Sequence, residues 1–382
     1  MTLMALLSGV VRTVFFIGTL YFLALSLSNV VWLRLSSRKP RITRGRKVSV
    51  LVPARNEEKN IAACLDSLLD QTYANYEIVV LDDQSTDGTW RIVSDYARRF
   101  PDRVRGVQGE PLMPTGWLGK PHAMQQLSRL ATGEYLMFTD ADTVHGRESV
   151  AWAVTNMEAH HADCVSGYVF QEMNTLGERC VVPVQYLMSA MFLPLWMIAA
   201  PAFPGISFAI GQVIVFRRHA FEAIGGYERV REKITDDLAI AHELKKAGFR
   251  EVFLDLRHYV RCRMYDGYRE SFNGIAKNIY DVARHYTVLF VLAATLLVVF
   301  AVVPLVLLPV QILSGSPAAS FTLLCVGLFL LSWALALWDR GMPWWTPLLY
   351  PVLFVHLLYM AWWSSAHAIS GQGVSWKGRV VR

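Results

Sequence analysis

Asp140 and Asp142, one residue apart, follow the apolar run Glu134 to Thr139 (Glu-Tyr-Leu-Met-Phe-Thr). If that run is a buried strand, side chains two positions apart share a face, so the carboxylates converge while the small Ala141 points away. Paired hard oxygen donors of this kind suit Mg²⁺ or Mn²⁺ held together with substrate phosphates. The same pair also serves turns and helix caps, so a metal site needs support from elsewhere in the chain.

That support comes from two more polar clusters, each at the end of an apolar run. Pro53-Ala54-Arg55-Asn56-Glu57-Glu58 closes the first, and Asp82-Asp83-Gln84-Ser85-Thr86-Asp87-Gly88 closes the second. Ser85, Thr86 and Asp87 suit a turn and a helix cap, whereas Asp82 and Asp83 together exceed what a cap requires. Gly119-Lys120-Pro121 adds a cation, and Thr235-Asp236-Asp237-Leu238 adds a second acid pair. Thr235 also reads as the cap of a helix over Asp236 to Ala247, whose N-terminus both acids would favour. His122, His145, His219 and His258 read as hydrogen-bonded structural residues.

The elements that must position these groups alternate. Val48 to Pro53, Glu77 to Asp82, Val104 to Val107, Glu134 to Thr139 and Val165 to Phe170 are short apolar runs with β-branched or aromatic residues. Glu57 to Asp70, Gly88 to Arg99, Pro121 to Leu130 and Arg147 to His160 have helical spacing and polar faces. This alternation predicts an α/β domain with a mainly parallel sheet covered on both sides. Ligands then bind beyond the carboxyl ends of the strands, where all three early clusters fall.

The chain has 382 residues, of which 53% are hydrophobic, and a mean hydropathy of +0.30. It is too apolar for an ordinary soluble protein and too charged to be wholly embedded. Residues 10–33 are apolar and without an acid, which predicts a retained transmembrane anchor. Arg34, Arg38, Lys39, Arg41, Arg44, Arg46 and Lys47 follow at once, so the central domain should face the cytoplasm. Anionic lipid headgroups explain that basic run, and no nucleic acid partner is expected. The five cysteines lack paired spacing and fit neither a disulfide framework nor a zinc site.

Residues 287–370 hold three further stretches long enough to span, at Thr287 to Leu313, Ala319 to Trp338 and Pro347 to Ile369. Three crossings after a cytoplasmic domain would leave the tail, residues 371–382, outside. Yet the tail carries Lys377, Arg379 and Arg382, against the positive-inside rule. Either one segment fails to cross, by a kink or a re-entrant path at its prolines, or the tail is an exception. Residues 181–210 are apolar but broken by Pro183, Pro194, Pro201, Pro204 and Gly205, so they lie in the membrane interface or form a buried part of the soluble domain. Residues 266–285 carry apolar side chains at helical spacing, as in a helix on the membrane surface.

The ordered set Val-Pro-Ala-Arg-Asn-Glu-Glu, Ile-Val-Val-Leu-Asp-Asp-Gln-Ser-Thr-Asp-Gly-Thr, Gly-Lys-Pro-His-Ala and Thr-Asp-Ala-Asp resembles glycosyltransferase family 2 and its GT-A nucleotide-sugar fold. The likeness continues through Gly211-Gln212, Gly225-Gly226-Tyr227 and Ile234-Thr235-Asp236-Asp237-Leu238, covering residues 47–285. The resemblance implies that Pro53, Arg55 and Glu57 line the nucleotide, that Asp83 reads the base, and that Lys120 lies near the donor. It implies Asp140 at the ribose or metal and Asp142 on the metal of the diphosphate. Asp237 matches the family's base, and Asp236 stands where the family usually has Glu. Gly211, Gln212, Arg261, Arg263 and Tyr265 are the candidates for the acceptor and membrane side.

Chemically, a leaving nucleoside diphosphate gains negative charge that a divalent cation and Lys120 would stabilise. The acceptor hydroxyl must lose a proton as it attacks an oxocarbenium-like carbon, the task for Asp237. Displacement of this kind inverts the anomeric centre. The Gln-x-x-Arg-Trp of processive synthases is missing, and Met264-Tyr265, Lys277-Asn278 and Trp376-Lys377-Gly378-Arg379 resemble members that glycosylate membrane lipids, such as carotenoid, hopanoid-associated and ceramide glycosyltransferases. The expectation is single-sugar transfer from a nucleotide-sugar, as a UDP-sugar, to a lipid hydroxyl. Transfer to a polyprenyl phosphate, or a non-catalytic subunit that binds nucleotide-sugar or lipid, are the alternatives.

Overall fold

A computed structural model of the chain describes residues 3–113, 116–200, 203, 205–370, 374–376 and 379–381. Pro201 and Pro204 of the expected interface segment, and Lys377, Gly378 and Arg382 of the tail, lie outside the described residues, as do the side chains of Arg284, His285 and Arg379. The chain begins with helix α1 (Leu3–Ser36) and then alternates β1 (Val48–Ala54), α2 (Ile61–Leu69), β2 (Tyr76–Asp82), α3 (Thr89–Arg99), β3 (Val104–Gln108), α4 (Gly119–Leu130) and β4 (Tyr135–Thr139). Next come β5 (Thr143–His145), α5 (Ser149–Ala159), β6 (Cys164–Tyr168), β7 (Phe170–Gln171) and the short helices α6 (Leu176–Val181), α7 (Val184–Met191) and α8 (Leu195–Ile198). The domain closes with β8 (Val213–Arg217), α9 (Arg218–Ala223), α10 (Asp236–Lys246), β9 (Glu251–Asp255) and β10 (Val260–Cys262). Helices α11 (Tyr268–Leu313), α12 (Ala318–Asp339) and α13 (Tyr350–Ser370) and the hairpin β11 (Val374–Trp376) with β12 (Arg379–Val381) follow.

The main sheet has seven strands in the order β3-β2-β1-β4-β8-β6-β9. β1 pairs in parallel with β2 and β4, as β2 does with β3 and β6 with β9. This strand is covered on both faces, which is why Val-Ser-Val-Leu-Val is apolar almost throughout. Val50 and Val52 pack with Ile61 and Leu65 of α2, while Leu51 packs on the other face with Met124 and Leu127 of α4. Leu51 is fully buried, so truncation to Ala would cost about 2 to 5 kcal/mol.

Strand β8 departs from the expected pattern, because it inserts antiparallel between β4 and β6. Its run Val-Ile-Val-Phe-Arg was hidden behind the breaker-rich segment before it. Running backwards, it begins at the edge where the parallel strands end, and so delivers Gly211 and Gln212 there. The Gln212 carbonyl accepts from Asp140 N at 3.4 Å and from Thr139 Oγ1 at 2.8 Å.

The Asp140 to Asp142 geometry also differs from expectation. β4 stops at Thr139, and residues 140–142 form a turn closed by bonds from Thr143 N (3.3 Å) and Thr143 Oγ1 (2.7 Å) to the Asp140 carbonyl. Strand alternation therefore does not govern the pair, since β5 leaves for a separate sheet with β10 and β7. Ala141 nevertheless packs into the core, as its size suggested.

Four helices are long and apolar enough to cross a membrane: Gly9–Ser36, Thr287–Leu313, Ala318–Asp339 and Thr346–Ser370. The expected surface helix and first C-terminal span are one continuous α11, which carries Pro304 and Pro309 inside it. Helices α6 to α8 bury Val181, Met191, Leu195 and Ile198 with side chains of the C-terminal helices, while Phe192, Trp196 and Phe203 stay exposed. Residues 181–210 thus have one buried face and one that leaves large apolar side chains exposed.

Candidate active site

The loops after β1 and β2 are tied to each other. Arg55 Nη1 donates to the carbonyls of Asp83 (2.5 Å) and Gln84 (3.1 Å). Asn56 N donates to Ser85 Oγ at 3.0 Å, and Thr86 N to Asn56 Oδ1 at 2.8 Å. Asn56 and Gln84 both adopt left-handed backbone, with φ of 53° and 57°, which non-glycine residues visit rarely and mostly at functional turns. Asp87 accepts from Thr89 N at 3.0 Å, and the N-cap position of α3 itself is held by Gly88. Asp82, Asp83 and Glu57 are buried acids at this edge. Burial raises the Asp82 carboxyl above the ordinary aspartate range. Pro53 is half-buried in β1 opposite Leu81.

A second group lies where α4, the turn after β4 and the start of α10 meet. Lys120 Nζ bonds Asp140 Oδ1 at 2.6 Å. Burial opposes the Lys120 charge, but Asp140, Asp236 and Asp237 outweigh it and raise the ammonium above an ordinary lysine. Asp237 Oδ2 accepts from Gly211 N at 2.9 Å, and its Oδ1 accepts from Leu238 N at 2.9 Å. A Cβ on Gly211 would stand 3.1 Å from Lys120 Nζ and 3.4 Å from Asp237 Oδ2, so this glycine lets backbone close on both. Burial raises both α10 acids, Asp236 to about 7. Each is held down in part by Lys120.

Thr235 does not cap α10. Its backbone N and Oγ1 donate instead to Asp281 Oδ2 of α11, at 3.3 and 2.7 Å. Asp142 Oδ1 accepts from Cys262 Sγ at 3.5 Å, and burial, then Asp142, push that thiol well up. Gln212 is buried and bonded to Gln171. Tyr265 is buried, with Asp142 among the charges that raise its phenol. Arg261 and Arg263 point to other acids, Glu172 at 3.5 Å and Asp266 at 2.9 Å. His145 is buried in bonds to Thr139 and Thr143, and burial lowers it to about 3. Asp281 and Cys262 were not singled out from sequence, and only their place after the motifs could have suggested them.

Among the described residues no three His, Cys, Asp or Glu gather as a ligand set. The donors on offer are Asp140 and Asp142, hard carboxylates that leave most of a coordination shell to other oxygens. That chemistry fits a Mg²⁺ or Mn²⁺ ion completed by substrate phosphates, which is how Mg²⁺ is usually held.

A mainly parallel sheet whose strand ends gather these acids around one lysine defines a GT-A-like α/β protein. The mannosyltransferase PcManGT from Pyrobaculum calidifontis, solved in complex with GDP-Man and Mn²⁺, shares this fold with a TM-score of 0.53 at 21% identity, over 93% of this chain and 98% of that one. Residues 49–225 match the family model Glycosyl transferase family 2, so the chain carries a domain of that kind. It is therefore a glycosyltransferase, an enzyme. A putative glycosyltransferase EpsE of Bacillus subtilis is 29% identical over 212 residues, covering 54% of this chain and 69% of that protein. A 4,4'-diaponeurosporenoate glycosyltransferase of Staphylococcus haemolyticus is 25% identical over 243 residues, covering 61% of each.

Proposed function

We propose that the protein is a membrane-anchored, cytoplasm-facing, inverting glycosyltransferase that moves a single sugar from a nucleotide-sugar, a UDP-sugar in the first instance, to the hydroxyl of a membrane lipid. The observation that carries this reading is the placement of Asp237. Its two oxygens are fixed by Gly211 N and Leu238 N, beside the Lys120–Asp140 pair and at the base of a helix bundle apolar enough to meet lipid. A carboxylate so oriented, with its pKa raised by burial, is suited to take a proton from a hydroxyl at neutral pH. The relative named as a diaponeurosporenoate glycosyltransferase supports a lipid-like acceptor.

In this reading the loops around Glu57 and Asp83 hold the nucleoside, and Lys120 faces the diphosphate. Asp140 and Asp142 would hold the divalent ion, whose contribution when bound is to neutralise charge on the leaving diphosphate. As the bond from sugar C1 to the β-phosphate oxygen breaks, its electron pair stays with the diphosphate and the acceptor oxygen bonds C1 from the opposite face. Asp237 takes the acceptor proton.

The test is release of nucleoside diphosphate by the full-length protein from a panel of nucleotide-sugars, with Mg²⁺ or Mn²⁺ and extracted membrane lipids, with glycolipid product read by mass spectrometry. A lipid mass shifted by one hexose is expected. No diphosphate released with any donor would overturn the reading. Full turnover in Asp237→Asn would instead favour an acceptor that is already anionic, such as a polyprenyl phosphate.

A further inference from the structure

One face of α11 meets the candidate site at two places. Near its start Gly274 lies so close to Tyr265 that an added Cβ would meet the ring at 2.2 Å, and Tyr265 is the buried phenol beside Asp142. Further on, Asp281 accepts both bonds from Thr235, the residue that precedes Asp236. Lys277 stands between them, three residues after Gly274 and four before Asp281. That spacing puts all three positions on one helix face, so Lys277 lies between two points where the helix meets the candidate site.

The charged groups that act on it come from every neighbouring element: Lys120 from α4, Asp236 and Asp237 from α10, and Asp140 from the turn after β4, with Asp281 one turn along its own helix. Burial, and then Lys120, lower the Lys277 ammonium to about 8 despite the three carboxylates. Two lysines converging in a buried place oppose each other's charge. An anion bound between them reverses that sign, and a diphosphate is the anion that the reaction brings to Lys120.

We propose that Lys277 is a second binding residue for the donor diphosphate, carried into the site by the membrane helix α11 and held in register by the Asp281–Thr235 bonds. The inference rests on the glycosyltransferase reading above. It makes the helix that enters the bilayer part of the donor site, so that diphosphate binding reports on how that helix is seated.

The experiment measures binding of UDP, GDP and the matching monophosphates, each with Mg²⁺, to full-length protein in lipid nanodiscs. Lys277→Gln should weaken the preferred diphosphate by about tenfold, the loss of one charge-assisted hydrogen bond, and change the monophosphate by less than about threefold. Lys277→Arg, which keeps the charge, should restore most of the diphosphate affinity, and Asp281→Asn should give an intermediate loss. A second reading uses the unmodified protein: acetic anhydride labelling of Lys277, followed by mass spectrometry, should be suppressed by the diphosphate and not by the monophosphate. Equal diphosphate affinity in wild type and Lys277→Gln, or labelling unchanged by diphosphate, overturns this inference alone. Wild-type protein that binds neither diphosphate overturns it together with the glycosyltransferase reading.

Discussion

Asp237 can serve as a base only while it is unprotonated, in a place where burial raises its carboxyl. The sign of the pH dependence follows. A raised carboxyl gains its proton at a higher pH than an ordinary aspartate, so the acid limb of kcat should lie above the usual aspartate range near pH 4. Asp236, next to it in sequence, is raised to about 7 by burial, with Asp237 among the charges that raise it, so the two acids titrate as an interacting pair. Asp236→Asn should therefore move the acid limb of the kcat profile to lower pH, and a profile flat down to pH 5 in wild type would contradict this account. Asp237→Asn should lower kcat by about 10² to 10⁴-fold while leaving diphosphate affinity within about threefold, as titration with UDP or GDP would show. Asp142→Asn should raise the Mn²⁺ or Mg²⁺ concentration needed for half-maximal rate, and a chelator should stop transfer in wild type. At this scale Asp82, Asp83 and the pair Asp140 and Asp142 stand out in the sequence because they follow apolar runs, whereas Asp236 and Asp237 stand out only through the family resemblance. Lys277 was not, because on an amphipathic helix it reads as one more solvated cation.

Between α8 and β8 the chain crosses from the membrane side to Gly211, and two buried ionisable groups hold that crossing. Lys245 Nζ donates to the carbonyls of Met197 at 3.2 Å and Ile198 at 2.7 Å, and also to that of Ile206. Glu251 Oε1 accepts from Phe208 N at 3.0 Å, and burial pushes this carboxyl to about 8. Its folded pKa is raised, so its contribution to stability is fully present below its unfolded value and is lost as pH rises toward about 8. Glu251→Gln keeps the acceptor and cannot ionise. The melting temperature of wild type should fall relative to the variant between pH 5 and pH 8, and parallel curves would show that Glu251 is ionised in the fold. Neither this latch nor β8 could be read beforehand, since residues 181–210 carry five breakers and no regular period. The elements up to β4 were legible, because buried parallel strands give continuous apolar runs and their covering helices give a period near 3.6.

Across the whole molecule the helix packing bears on a conflict that composition leaves open. α1 and α12 run side by side in the same direction, with Phe16 5.9 Å from Phe321, Phe22 5.9 Å from Phe329 and Arg34 bonded to Asp339 at 3.0 Å. Asp339 is also 3.4 Å from Arg257 of the catalytic domain, so α12 ends on the domain's side. α13 then starts within the bundle, where Phe354 packs on Phe329 and Trp333 at 5.8 and 6.5 Å. From His356 onward it lies along the first part of α11: His356 meets Tyr268 at 3.0 Å, and Ser364 Oγ donates to the Ala276 carbonyl at 3.0 Å. For a helix that begins among the candidate spans and runs beside the glycosyltransferase domain, the expectation is that it does not cross. Tyr350, His356, Tyr359, Trp362, Trp363 and His367 suit an interfacial position, and the helix has the lowest mean hydropathy of the four, 1.3 against 3.0 for the α11 span. On that expectation the basic tail would lie on the domain's side, in keeping with the positive-inside rule. Green fluorescent protein fused after Arg382 should fluoresce and alkaline phosphatase fused there should be inactive, whereas phosphatase inserted after Leu313 should be active. An active phosphatase at the tail would mean that α13 crosses after all.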